Sequence, residues 1–117
     1  MPVRSLSSSV LRWPNAHEVD HAVRRWAEGI ARRRADVVRI GYFGSYANGT
    51  WGVGSDLDLV IVVEDATQPF ERRASDWDTT GLPVPADVLV YTRQEWDALA
   101  RQGRMASTLT AETVWAY

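Results

Sequence analysis

Early in the chain, apolar residues recur at helical spacing. Val19, Ala22, Val23, Trp26 and Ile30 fall on one face, with polar and charged residues between them. Asn15 stands where a helix N-cap belongs, and Glu18, three residues later, supplies the second half of a capping box. Arg32, Arg33 and Arg34 close the stretch, where cations suit the negative end of a helix dipole. The pattern then shifts to short apolar, β-branched runs. Val37 to Phe43 reads as a strand, and Asp56 to Val63 as a second. Ala86 to Tyr91 is a third, and Thr113 to Tyr117 a short fourth. Residues 64–83 are polar and irregular, with a short helix expected near Phe70 to Ala74. Thr92 and Glu95 form another capping box, so a helix should run to about Gln102, with Gly103 as its stop. Residues 1–13 are Ser-rich and read as a loose arm or short strand. The order implies an α/β (α+β) fold, a small mixed sheet with helices packed mainly on one face.

Length sets this reading at one domain spanning residues 1–117, with no repeat and no internal linker. With 45% hydrophobic and 24% charged residues, the chain can build an ordinary core, and disorder is excluded. There is no cysteine, which removes disulfides, a thiol nucleophile and Cys-ligated zinc. The 13 basic residues are all arginine, so chemistry that needs a lysine is impossible. A net charge of -2 argues against strong nucleic-acid binding through bulk charge. The first residues lack an apolar signal-peptide core, and Leu59 to Val63 is far too short to span a membrane. A cytoplasmic protein that does not engage membranes is the expectation.

The chemistry concentrates around three aspartates. Aspartate is disfavoured in strands, yet Asp56 and Asp58 open one. At i and i+2 their carboxylates share a face, with Cα atoms about 7 Å apart. Like charges that close need a cation between them, and oxygen ligands with open positions suit Mg²⁺. A solvent-facing strand start is the alternative. Asp87 opens another β-branched run. Were that strand to lie beside the second, three carboxylates would meet at one sheet end, enough for two Mg²⁺ and an in-line displacement at phosphorus. Gly44 and Ser45 stand at the end of the first strand. Such a glycine lets backbone approach a ligand, and the serine hydroxyl can donate to phosphate oxygens.

Together these residues read Gly44-Ser45, ten residues, then Asp56-Leu57-Asp58, with a later strand carrying Asp87. This resembles the signature of the polymerase-β-type nucleotidyltransferases, and within them the minimal nucleotidyltransferases. The resemblance implies a palm-type sheet in which Gly44 and Ser45 hold the triphosphate of ATP. It implies that Asp56 and Asp58 bind two Mg²⁺ ions and that Asp87 completes the site and helps deprotonate the attacking hydroxyl. It further implies an antitoxin that transfers AMP to a tyrosine of a cognate HEPN-domain RNase toxin, with which it forms a hetero-oligomer. The chain departs from many minimal members in having Asn48, not arginine, before Gly49, and in its apolar, glycine-rich loop Trp51-Gly52-Val53-Gly54. Trp51 could stack on a nucleotide base or pin the loop to the core.

Two other readings are open. The chain could neutralise a toxin by binding alone, or it could modify a small molecule or an RNA end. Relatives of the latter kind add a substrate domain, and little chain is left here to build one. Elsewhere, His17 and His21 have a metal-ligand spacing, but no third ligand follows at a recognised interval.

Overall fold

The computed structural model describes residues 13–102 and 109–117. Helix α1 (Ala16–Arg33) leads into strand β1 (Val37–Phe43) and a one-turn helix α2 (Ser45–Asn48). Strand β2 (Leu57–Val63) follows, then a short helix α3 (Phe70–Arg73) that runs into a 3₁₀ turn, Ala74–Asp76. Strand β3 (Ala86–Thr92), helix α4 (Arg93–Ala100) and the two-residue strand β4 (Val114–Trp115) follow, with residues 109–112 also helical just before β4.

Both expected capping boxes form. The Asn15 side chain accepts from the Glu18 amide at 2.8 Å, and the Glu18 carboxylate accepts from the Asn15 amide at 3.1 Å. Thr92 and Glu95 repeat the arrangement at the start of α4. These reciprocal bonds satisfy donors that a helix start otherwise leaves open, which is why both helices begin where expected. The proposed glycine stop at 103 and residues 1–12 of the N-terminal arm lie outside the described residues.

The four strands form one mixed sheet in the order β3-β2-β1-β4. β2 pairs antiparallel with β1 and parallel with β3. As the inner strand between them, β2 is covered on both faces, which explains its nearly unbroken run of buried apolar residues. One face carries Leu57, Leu59, Ile61 and Val63, packed with Val19, Val23, Ala27 and Ile30 of α1. A bulge between Val37 and Arg39 brings both Val37 and Ile40 onto that face although they are three residues apart. The opposite face carries Val60 and Val62, which pack with Trp96 of α4 and with Trp115. There Phe70, Tyr91, Trp96 and Trp115 form a chain of ring contacts with centroids 5.1 to 5.5 Å apart. The main helix thus covers one face together with Tyr46, Trp77, Leu82 and Val84, and the shorter α4 packs on the other. The opposite end of that second face is open among the described residues, and Asp87 is exposed there.

Among the described residues, no helix is long and apolar enough to cross a membrane. Arg34, which caps the end of α1, has structural partners. Arg34 binds both carboxylate oxygens of Asp36, at 3.1 and 2.9 Å, and lies over the Trp77 ring.

Candidate active site

The open end of the sheet is where β1 finishes and β2 and β3 begin. The two parallel strands run in register, so Asp58 stands directly beside Asp87. Both side chains project from the face opposite α1, because Leu57 and Leu59 on one strand and Ala86 and Val88 on the other turn inward. Phe43, the last residue of β1, pairs with Asp58 from the other side. Alternation and register alone therefore place two carboxylates next to each other at the mouth of the uncovered face.

Asp56 sits one residue before β2, a correction to the reading that opened the strand there. The reason is a lack of partners. β1 turns away after Phe43, and β3 begins only opposite Leu57, whose amide donates to the Pro85 carbonyl at 2.8 Å. Asp56 is nonetheless close enough to act on its neighbour. Burial first, then the charge of Asp87 and that of Asp56, push the Asp58 carboxyl above its ordinary range. None of the three acids has a cationic partner among the described residues, whereas Asp20, Asp36, Glu64 and Glu95 all pair with arginine. The three share one field without closing into a ready-made three-ligand metal group among the described residues.

Gly44 approaches this cluster for a geometric reason. Its φ of +77° lies in the region that favours glycine, and a Cβ there would overlap the Asp58 carboxylate. The turn after it is closed by Ala47 and Asn48 amides donating to the Gly44 carbonyl, both at 3.0 Å. Ser45 opens that turn beside the acids, and its hydroxyl takes part in no hydrogen bond among the described residues. Asp58 and Asp87 line an open hollow with Phe43, Thr79 and Leu89. Unpaired carboxylates, a backbone kept close to one of them and a free serine hydroxyl form a donor set of hard oxygens. Mg²⁺ and a nucleotide phosphate chain fit that set.

The other sequence features resolve differently. Trp51 stacks on Tyr46, with ring centroids 5.7 Å apart and planes 12° from parallel, so it pins the loop to the core. Asn48 accepts from the Thr50 amide and hydroxyl and holds the turn. His17 and His21 are exposed on α1 and join no three-ligand group among the described residues. Phe43 and Thr79 were not singled out from sequence. Phe43 could have been flagged as the aromatic preceding Gly44; Thr79 lies in an irregular segment that carries no such signal.

Comparison with known proteins bears on the fold and the family. Residues 24–108 match the family model described as a nucleotidyltransferase domain. A crystal structure from Sulfolobus solfataricus, named as that of a candidate nucleotidyltransferase, superposes with a TM-score of 0.56 at 19% identity. That alignment covers 90% of this chain and 88% of the other, and it shows a shared fold. A toxin-antitoxin structure solved with AMP-PNP is a weaker likeness, with a TM-score of 0.48 at 17% identity over 80% of this chain and 72% of that one. Among curated proteins none matches. With a family model covering most of its length, and with the acids and the Gly-Ser turn gathered at one sheet end, the chain belongs to the nucleotidyltransferase domain family.

Proposed function

We propose that the protein transfers AMP from ATP to a hydroxyl of another protein. The observation that carries this reading is the trio Asp56, Asp58 and Asp87, without cationic partners among the described residues and beside Gly44 and Ser45. Asp58 and Asp87, with Asp56, would hold Mg²⁺. Bound there, the metal would neutralise the carboxylates and the charge that builds on the phosphate oxygens. Gly44 leaves room for the triphosphate, and the Ser45 hydroxyl donates to one of its oxygens. Asp87, the exposed member of the pair, would take the proton from the attacking hydroxyl. A bond forms from the acceptor oxygen to the α-phosphorus, and the bond to pyrophosphate breaks.

The open hollow supports a macromolecular acceptor. Its lining comes from the strand ends and the segment after α3, and it opens to the surface. The motif's resemblance to minimal nucleotidyltransferases supports one acceptor class, a tyrosine of a HEPN-domain RNase toxin, with this chain as antitoxin. The test is transfer of label from α-labelled ATP to the co-expressed partner with Mg²⁺. Wild-type protein that leaves its true partner unlabelled would defeat the proposal. If Asp58→Ala still protected cells at normal expression, neutralisation by binding alone would replace it.

A further inference from the structure

We infer that Tyr46 is a positioning residue that couples the Gly44–Ser45 turn to the arm bearing Asp56; the inference rests on the proposed transfer reaction. Tyr46 follows Ser45 directly and is 4% exposed. Its ring stacks on Trp51, and its hydroxyl accepts from the Trp13 indole N–H at 2.8 Å and donates to the Ser55 carbonyl at 3.4 Å. Ser55 is the residue before Asp56. Ser55 also closes the turn that precedes it: its hydroxyl accepts from the Gly52 amide at 2.8 Å, and its amide donates to the Gly52 carbonyl at 3.0 Å.

The loop needs such a fixed point. It contains Gly49, Gly52 and Gly54, two of them at positive φ, and Val53 at its tip is 80% exposed. Its own side chains bury little, apart from Trp51. Leu57 anchors the strand side of Asp56, so the near side depends on Trp51 and Ser55, and both lead to Tyr46. The 3.4 Å hydroxyl contact is long, so the ring stack carries the larger share. A single side chain therefore ties the phosphate-binding turn to a metal-binding carboxylate, and a shift in one is felt by the other.

Two variants separate the links. Trp51→Leu removes the stack; Tyr46→Phe keeps it and removes the hydroxyl. Amide hydrogen exchange is followed on the protein alone, and the Mg²⁺ concentration that half-saturates ATP binding is measured by calorimetry. Trp51→Leu should speed exchange at residues 52–56 by about two- to tenfold, the change in a local opening equilibrium expected from losing one aromatic pair. It should raise the Mg²⁺ half-saturation by a similar factor, while exchange in the centre of β2 stays at the wild-type rate. Tyr46→Phe should move both readouts in the same direction by less. Unchanged exchange at 52–56 in both variants overturns the inference. So does a rise spread evenly over the sheet, which marks a packing role only, and so does a loosened loop with unchanged Mg²⁺ half-saturation. Wild type that binds no ATP with Mg²⁺ sinks the transfer reading, and the coupling with it, before any variant is compared; the exchange arm, run without ligand, tells that failure apart from an unlinked loop.

Discussion

Replacing Asp58 by asparagine should stabilise the metal-free protein while abolishing transfer. Asp58 and Asp87 are in-register neighbours on parallel strands, so their Cα atoms lie about 4.8 Å apart. Two unit charges about 5 Å apart in a medium of effective dielectric near 20 repel by about 3 kcal/mol. Asp87 is exposed and Asp58 only half-buried, so solvent and salt reduce this to about 1 kcal/mol. For a domain of this size that corresponds to a rise in Tm of about 4 °C. The pH dependence follows from the raised pKa of Asp58. A carboxyl that is harder to ionise in the folded state costs stability at neutral pH, and the cost disappears as acid protonates it. The advantage of Asp58→Asn is therefore full near pH 7 and closes as pH falls to about 4, the ordinary aspartate value. Scanning calorimetry in the presence of a chelator measures both. Adding Mg²⁺ should raise the wild-type Tm and leave that of the variant unmoved, since only a state that binds the ion gains from it. A lower Tm for Asp58→Asn at pH 7, or a gap that does not change with pH, would refute the reasoning.

Other consequences follow from backbone and packing. Gly44→Ala meets both a positive φ and the Asp58 carboxylate, so it should cost about 2 kcal/mol or more by denaturant titration and weaken ATP binding in calorimetry. Gly41→Ala tests space alone, because its Cβ would lie 2.7 Å from the Val114 carbonyl oxygen and 2.8 Å from the Trp115 ring. It should cost about 1–3 kcal/mol and release β4, seen as faster hydrogen exchange at residues 114–117. Arg73 is buried and donates to the Gln68 and Val90 carbonyls and to Glu95. Arg73→Ala should cost about 2–3 kcal/mol, with Lys a poor substitute because it cannot span the three acceptors. The hydrogen bond from Arg73 holds the Glu95 carboxyl below its usual range. That contribution is present at neutral pH and is lost as pH falls below about 4.3 and through the lowered value, so the wild-type advantage over Arg73→Ala should shrink there in urea melts.

The elements were largely legible from residue pattern, because the interactions that set them are local. Asn15 with Glu18, and Thr92 with Glu95, act within one turn, and both helices start beside these pairs. The run Val37 to Phe43 is a strand with those same bounds. The start of β2 was misplaced by one residue because a strand end depends on what lies beside it, and the partner strands supply nothing for Asp56. The role of Trp51 was undecided for the same kind of reason. Stacking on Tyr46 is a contact of the folded chain, and the spacing of the two residues does not encode it.

The sequence by itself determined the chemical inventory: the candidate acids Asp56, Asp58 and Asp87, the Gly44-Ser45 pair, no lysine and no cysteine. Composition cannot be changed by folding, so the chemistry that inventory excludes stays excluded. Only the tertiary structure decided that Asp58 and Asp87 are neighbours, since 28 residues of chain separate them and strand register alone closes that gap. It also decided which face they occupy and that this face is open at their end. Those outcomes depend on α1 and α4 packing over other parts of the sheet, which is set by long-range burial of apolar surface that no local motif specifies.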